Sequence, residues 1–249
     1  MSLLTDQLRD EFLGLGALDG DDPPLMASVL ALSRLLQRGH VWDGWESCLA
    51  SVEAAARRRC HAAAPDQWND AAADLLALIH EEGFVGNVEQ YDRIENSFID
   101  RVLQDRRGIP ISLSVLAIHL GEVVGIPLQG IGFPGHFIVG IGLHTRTPSV
   151  FDPFNAGARL SFEDLAQLYR ATTGKRMTSN APMLRRALEP ATSRSILSRM
   201  LRNLQRQYTA RGSHDRVAEV VGLLAVLHPE LAKLRTLEGQ LHRRLATLN

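Results

Sequence analysis

His136 and Asp152 are the side chains best suited to acid–base work. His136 lies in Phe133-Pro-Gly-His-Phe137, at the start of a predicted strand, and Asp152 in Phe151-Asp-Pro-Phe154, at the end of the next. Paired through a hairpin, the two strands would bring imidazole and carboxylate together. A carboxylate that holds an imidazole fixes its tautomer and supports the imidazolium form. These are two members of a nucleophile–base–acid triad. The third, a nucleophile, is set by such sites at a helix N-terminus, where the helix dipole favours thiolate. Gly108-Ile-Pro-Ile-Ser-Leu-Ser114 has the character of a helix start but contains no cysteine.

Other nucleophiles must therefore be weighed. Ser112 and Ser114 are the nearest, and a hydrolase or acyltransferase built on Ser112, His136 and Asp152 is the alternative reading. A serine needs its base within about 3 Å, and an alkoxide is far harder to form than a thiolate. Ser112, in the first turn, is equally suited to satisfying free backbone N–H groups. Cys48 and Cys60 fall in the N-terminal helical region, and two thiols make neither a disulfide framework nor a zinc site. No Gly-rich phosphate loop is present, so nucleotide binding has no support, and without a Cys/His cluster at zinc spacing no metal, and no other cofactor, is expected.

The elements that position these groups read as three regions, spanning residues 1–70, 71–175 and 181–249. The first is a small helical layer. Leu25, Val29, Leu32, Leu35 and Leu36 keep a helical spacing, and a second helix runs from Trp45 to about His61. Trp42 and Trp45 are expected to pack this layer. In the second region, Ala71 to Glu82 is helical, ending at Gly83. Ile109 to Val124 is the core helix. Pro110 suits its first turn, Leu113, Leu116, Ala117, Leu120 and Val124 form one buried stripe, and Gly125 ends it. Strands follow at Leu128 to Phe133, His136 to Leu143 and Ser149 to Phe151, with His144 to Pro148 as a hairpin loop. Ser161 opens a short helix with Asp164 three residues on. Asn96 is either a wall of the site or the N-cap of a helix from Phe98 to Gln104. In the third region, Ile196, Met200, Leu204 and Tyr208 make one helical face. Val217, Val220, Val221, Leu224 and Leu227 make another after Gly212, and a third helix is expected over Leu231 to Leu248.

The order of these motifs resembles the transglutaminase-like superfamily. Its domains carry Gly-x-Cys at the start of the core helix, then Gly-Ile-Pro about one helix later, then a strand with histidine, then Asp-Pro. Gly125-Ile-Pro127, His136 and Asp152-Pro153 follow in that order. By this resemblance Pro110 occupies the cysteine position and Gly108 the preceding glycine, and a proline offers no nucleophile. Tyr91-Asp-x-x-Glu-Asn-Ser97, Val102-Leu103, Arg106 to Ser114 and Gly132-Phe-Pro-Gly-His-Phe137 are similar to SirB-type members, whose domain also occurs in some F-box proteins. The likeness covers about Gly83 to Thr173 closely. The helical hairpin resembles one tetratricopeptide unit, as in the tails of those members. A single unit cannot form a solenoid, so it must pack on the central domain or on a partner. The resemblance implies an α+β, papain-like fold with a helix against a small antiparallel sheet, and no established activity.

Composition is that of an ordinary globular chain: 45% hydrophobic, 22% charged and a formal net charge of −1 over 249 residues. No global field argues for nucleic acid or an anionic membrane, and no apolar run spans a bilayer. Met1 to Glu11 lack a cationic start and an apolar run, so no secretory leader is expected there and the cytoplasm is the expected setting. The chain uses 25 Arg against 2 Lys. Arg185, Arg186, Arg194, Arg199, Arg202 and Arg206 form a basic stretch read as a solvated helix face, with an acidic partner or RNA as the other reading. The leading expectation is a vestigial, non-catalytic module that recognises a protein partner. Its groove would be formed by Asn96, Gly108, Pro110, Ser114, Pro134 and Gly135 beside His136 and Asp152. A third reading makes the helical tail the binding part, with the central domain as its support.

Overall fold

A computed structural model of the chain describes residues 22–38, 40–60, 64–145, 147–176 and 185–228, and in addition 6, 10–11, 230–231, 236–237 and 239–241. Its centre is helix α5 (Pro110–Val124), so the elements leading to it come first. Helices α1 (Leu25–Leu36), α2 (Trp45–Arg59) and α3 (Trp68–Glu81) form a layer on one side. Strand β1 (Val85–Gly86) follows, then a 3₁₀ turn at Ile94–Ser97, helix α4 (Ile99–Asp105) and strand β2 (Arg107–Gly108), which pairs parallel with β1.

The hydrophobic pattern of α5 predicts one buried stripe, but the helix is buried on nearly all sides, from Pro110 through Ile118 and again at Leu120, Gly121 and Val124. It is walled by α1 to α4, by the sheet and by a later helix, and a helix apolar all round belongs in a core. Gly125, in the left-handed conformation (φ 75°), ends it.

The main sheet is an antiparallel meander of β3 (Gln129–Ile131), β4 (Ile138–Ile141), β5 (Ser149–Asp152) and β6 (Ala158–Leu160). The predicted hairpin of β4 and β5 forms, with Val139 opposite Phe151. Side chains alternate across the sheet. Phe137, Val139, Ile141 and Phe151 join the cluster around α5. Ile131, Phe133, Ile138 and Val150 face helix α6 (Phe162–Thr173) through Leu165. Ser161 caps α6, its hydroxyl accepting from Asp164 N–H and the Asp164 carboxylate accepting in return, as the sequence leads one to expect.

Helices α7 (Ser193–Ala210) and α8 (His214–Leu227) form the predicted hairpin, turning at Gly212 (φ 70°). Ile196, Met200, Leu204, Tyr208, Val217, Val221, Leu224 and Leu227 lie in the same hydrophobic cluster as α5. Asp22 accepts hydrogen bonds from Ser193 and Arg194 N–H at 2.6 and 3.0 Å, so the N-terminal segment caps α7. The third helix expected over Leu231–Leu248 lies largely outside the described residues, as do Gly39, His61, Arg146 and 181–184. Among the described residues no helix is long and apolar enough to cross a membrane.

Candidate active site

The register of β4 and β5 brings the acid–base pair together. With Val139 opposite Phe151, the hairpin brings Asp152, at the end of β5, beside the chain that enters β4 from His136. His136 Nε2 lies 2.9 Å from Asp152 Oδ2. Asp152 is an acceptor throughout: it also takes Phe154 N–H at 3.0 Å and Asn155 Nδ2–H at 2.7 Å. The proton of the imidazole contact therefore sits on Nε2, which leaves Nδ1 as the basic nitrogen. The Asp152 side chain is 1% exposed and that of His136 10%, so the pair is shielded yet reachable. The ring of Phe154 stands edge-on to the imidazole, centroids 6.0 Å apart.

Ile109, Pro110 and Ile111, at the start of α5, share a cleft of about 1270 Å³ with Gly135 and His136. Helix start and base thus face one space, the layout of a thiol-dependent acyl-transfer site. The first helical position there is held by Pro110, which carries no nucleophile.

Ser112 is held apart from this space. It is wholly buried; its Oγ accepts from Ile109 N–H at 3.0 Å and donates to the Asn96 carbonyl at 2.8 Å. It completes the helix start, which was its structural alternative. Ser114 is also wholly buried, and its Oγ has no hydrogen-bond partner. Neither serine lines the cleft. Gly108 is buried in β2, where an added Cβ would stand 2.7 Å from Ser112 Oγ, so the glycine makes room for the cap. Pro134 contributes its carbonyl, which accepts from the Thr172 hydroxyl at 2.7 Å. Gly135 adopts φ +71° and has no space for a Cβ, with Thr172 Cβ 2.6 Å away. Of the groove residues expected from sequence, Pro110 and Gly135 thus line the cleft with His136, while Asn96, Gly108, Ser114 and Pro134 stand behind it.

Asn96 does something neither reading anticipated. It caps no helix, since Phe98 holds the N-cap position of α4 without a side-chain bond. Instead its Oδ1 accepts from Asn87 Nδ2 at 2.9 Å and its Nδ2 reaches the carbonyls of Gln90 and Tyr91 at 2.7 and 3.1 Å. This pair of asparagines braces the turn that carries Tyr91 into the cleft, where the ring packs edge-on to Phe154.

The far wall is α7, and here the solvated-face expectation for the basic stretch fails at Arg199 alone among the arginines that line the cleft. Arg199, Arg202, Asn203 and Arg206 line the cleft, with Arg211 beyond the helix end. Arg199 is partly buried and donates to the carbonyls of Phe133 (2.9 Å) and His136 (2.5 Å), bracing the strand entry that carries the base. Burial pulls its pKa below the ordinary arginine value, and burial likewise pushes the Tyr91 phenol up. Arg185, Arg186, Arg202 and Arg206 are exposed, as a solvated face requires; of the arginines at the cleft only Arg199 turns inward, which packing rather than helical period decides. Cys48 and Cys60 are free thiols lining other parts of the core, and neither reaches the cleft. Among the described residues no cluster of histidine, cysteine or carboxylate could hold a metal ion.

A helix start, a meander and a His/Asp pair in one cleft define a transglutaminase-like architecture. The profile of the Transglutaminase-like superfamily matches residues 45–202, and the chain belongs to that superfamily. Among its relatives, the UPF0162 protein of Xylella fastidiosa (strain 9a5c) is 37% identical over 152 residues, covering 61% of this chain and 53% of the relative. The UPF0162 protein PA3419 of Pseudomonas aeruginosa is 30% identical over 144 residues, covering 58% and 50%. Human F-box only protein 21 is 27% identical over 173 residues, covering 65% of this chain and 26% of its own length. The chain spans about half the length of these bacterial relatives. No solved structure matches it.

Proposed function

We propose that the chain is a non-catalytic transglutaminase-like module that recognises a protein partner through the cleft between α5, the His136 strand entry and α7. One observation carries the reading. Pro110 occupies the helix start that faces His136, and the nearest hydroxyl, Ser112 Oγ, is committed to Ile109 N–H and the Asn96 carbonyl. A side chain so engaged would have to break the helix start before it could attack an acyl group, which weighs against a Ser112 hydrolase. The intact His136–Asp152 contact then serves as structure, tying the β4 entry to the end of β5. The two free thiols, Cys48 and Cys60, suit a reducing compartment such as the cytoplasm.

Intact-mass labelling tests this. The native chain and His136→Ala are treated with a fluorophosphonate and, separately, with a thiol-reactive electrophile. The expected outcome is no adduct that depends on His136, with thiol labelling confined to Cys48 and Cys60 and equal in both chains. A stoichiometric adduct on Ser112 or Ser114 that disappears in His136→Ala would establish a rebuilt serine site and defeat the proposal.

A further inference from the structure

The charge of the cleft is concentrated on one wall. Arg199, Arg202 and Arg206 are three and four residues apart on α7 and share a face, with Arg211 following. Among the described lining residues Asp92 is the only carboxylate. The arginines are engaged, where they are engaged, by neutral acceptors: Arg199 by the carbonyls of Phe133 and His136, Arg206 by Asn203 Oδ1 at 2.6 Å, and Arg211 by the carbonyls of Gln207 and Asp92 at 3.1 and 2.6 Å. Arg34, Arg38 and Arg216, by contrast, pair with carboxylates. In a chain of net charge −1, this cleft is a local positive focus, with one carboxylate set against Arg199, Arg202, Arg206 and Arg211.

Ile109, Pro110, Ile111 and Phe137 also border the cleft but are buried, and the Arg199 guanidinium lies over the Phe137 ring, 5.5 Å from its centroid. The braced Tyr91 is the exposed aromatic face of the cleft. We propose that the cleft binds an extended acidic peptide segment, its carboxylates on Arg202, Arg206 and Arg211 and an intervening side chain against Tyr91. This inference rests on the recognition role above and names the chemistry of its partner. From Arg202 to Arg206 the helix rises about 6 Å at ~1.5 Å per residue. That matches about two residues of extended chain, so every second side chain faces the arginines. Guanidinium groups also suit carboxylates by their fork of donors. A nucleic acid fits less well, since its affinity comes from a long run of phosphate contacts and these cations occupy one short helix face.

Fluorescence anisotropy on the full chain tests the idea with three labelled probes: the peptide Glu-Leu-Glu-Val-Glu-Leu, its counterpart with Gln for each Glu, and a six-nucleotide uridine RNA. The acidic peptide should bind about tenfold or more tightly than either other probe, and more weakly as salt rises. The double variant Arg202→Glu, Arg206→Glu should lose that preference, while Arg58→Glu, on α2 away from the cleft, should keep it. Circular dichroism and a urea midpoint check that each variant is folded. Equal binding of the glutamine peptide, unchanged binding by the folded double variant, or tighter binding of the RNA would each overturn the acidic-peptide assignment. A neutral peptide that binds in the cleft would overturn it while leaving the recognition role standing. A His136-dependent covalent adduct, read separately by mass, would instead remove the recognition role.

Discussion

Ser112 and Asn96 illustrate how a buried polar side chain beside the cleft serves as structure. Ser112 Oγ serves Ile109 N–H and the Asn96 carbonyl from a wholly buried position. Replacing it with alanine leaves a buried N–H and a buried carbonyl without that partner, a cost of about 1–3 kcal/mol. Ser112→Ala should therefore lower the urea midpoint of unfolding and leave any covalent labelling pattern unchanged. If Ser112 were a nucleophile instead, the substitution would abolish an acyl adduct at little cost in stability. His136, Asp152 and Pro110 were readable as a set because their neighbouring motifs fix their order. Asn155, which holds the Asp152 carboxylate from the opposite side at 2.7 Å, was not, since nothing in its local sequence marks it.

At the scale of elements, the turn at 87–92 is the piece whose rigidity the cleft depends on. Asn96 ties it through Asn87, Gln90 and Tyr91, and both asparagines are buried. Asn96→Ala should destabilise the chain by about 1–3 kcal/mol and should speed amide exchange across 87–97 ahead of global unfolding. Unchanged exchange there would show that the turn is held by something else. The sequence made the helices, the β4–β5 hairpin and the α7–α8 hairpin legible, because apolar periodicity and glycine or proline punctuation are local signals. It did not mark β1, β2 or β6. The first two are two-residue strands that exist only by pairing with each other, and β6 is largely exposed, so none carries a periodic pattern. The single stripe read on α5 became burial all round because helices from both ends of the sequence close over it, which is tertiary information.

For the whole molecule, one hydrophobic cluster draws on residues from Leu25 to Leu227, and Asp22 caps α7 from the other end of the described chain. We expect the described chain to unfold as one cooperative unit, with calorimetric and van't Hoff enthalpies in agreement. Two separated transitions would make the helical hairpin an independent module. Tyr208 on α7 contributes to the alkaline limit of stability. Burial raises its pKa, so the folded chain holds the phenolic proton more tightly than the unfolded one. Its contribution is whole below the unfolded tyrosine value near about 10 and is lost as pH rises through the raised folded value. Urea midpoints of the native chain should thus fall more steeply above that pH than those of Tyr208→Phe; parallel curves would assign the alkaline loss elsewhere.

The proposed role turns on position: by its resemblance to transglutaminase-like domains, the chain sets Pro110 where their nucleophile stands, at a helix start sharing a cleft with His136. The most direct test is to place a thiol there with Pro110→Cys. The rate of iodoacetamide alkylation is then followed against pH, residue by residue, by peptide mass spectrometry. The new thiol should react with a midpoint well below the ~8.5 of a free cysteine, and His136→Ala should return that midpoint toward ~8.5. A Cys introduced at 110 that titrates as an ordinary thiol whether or not His136 is present would contradict the account.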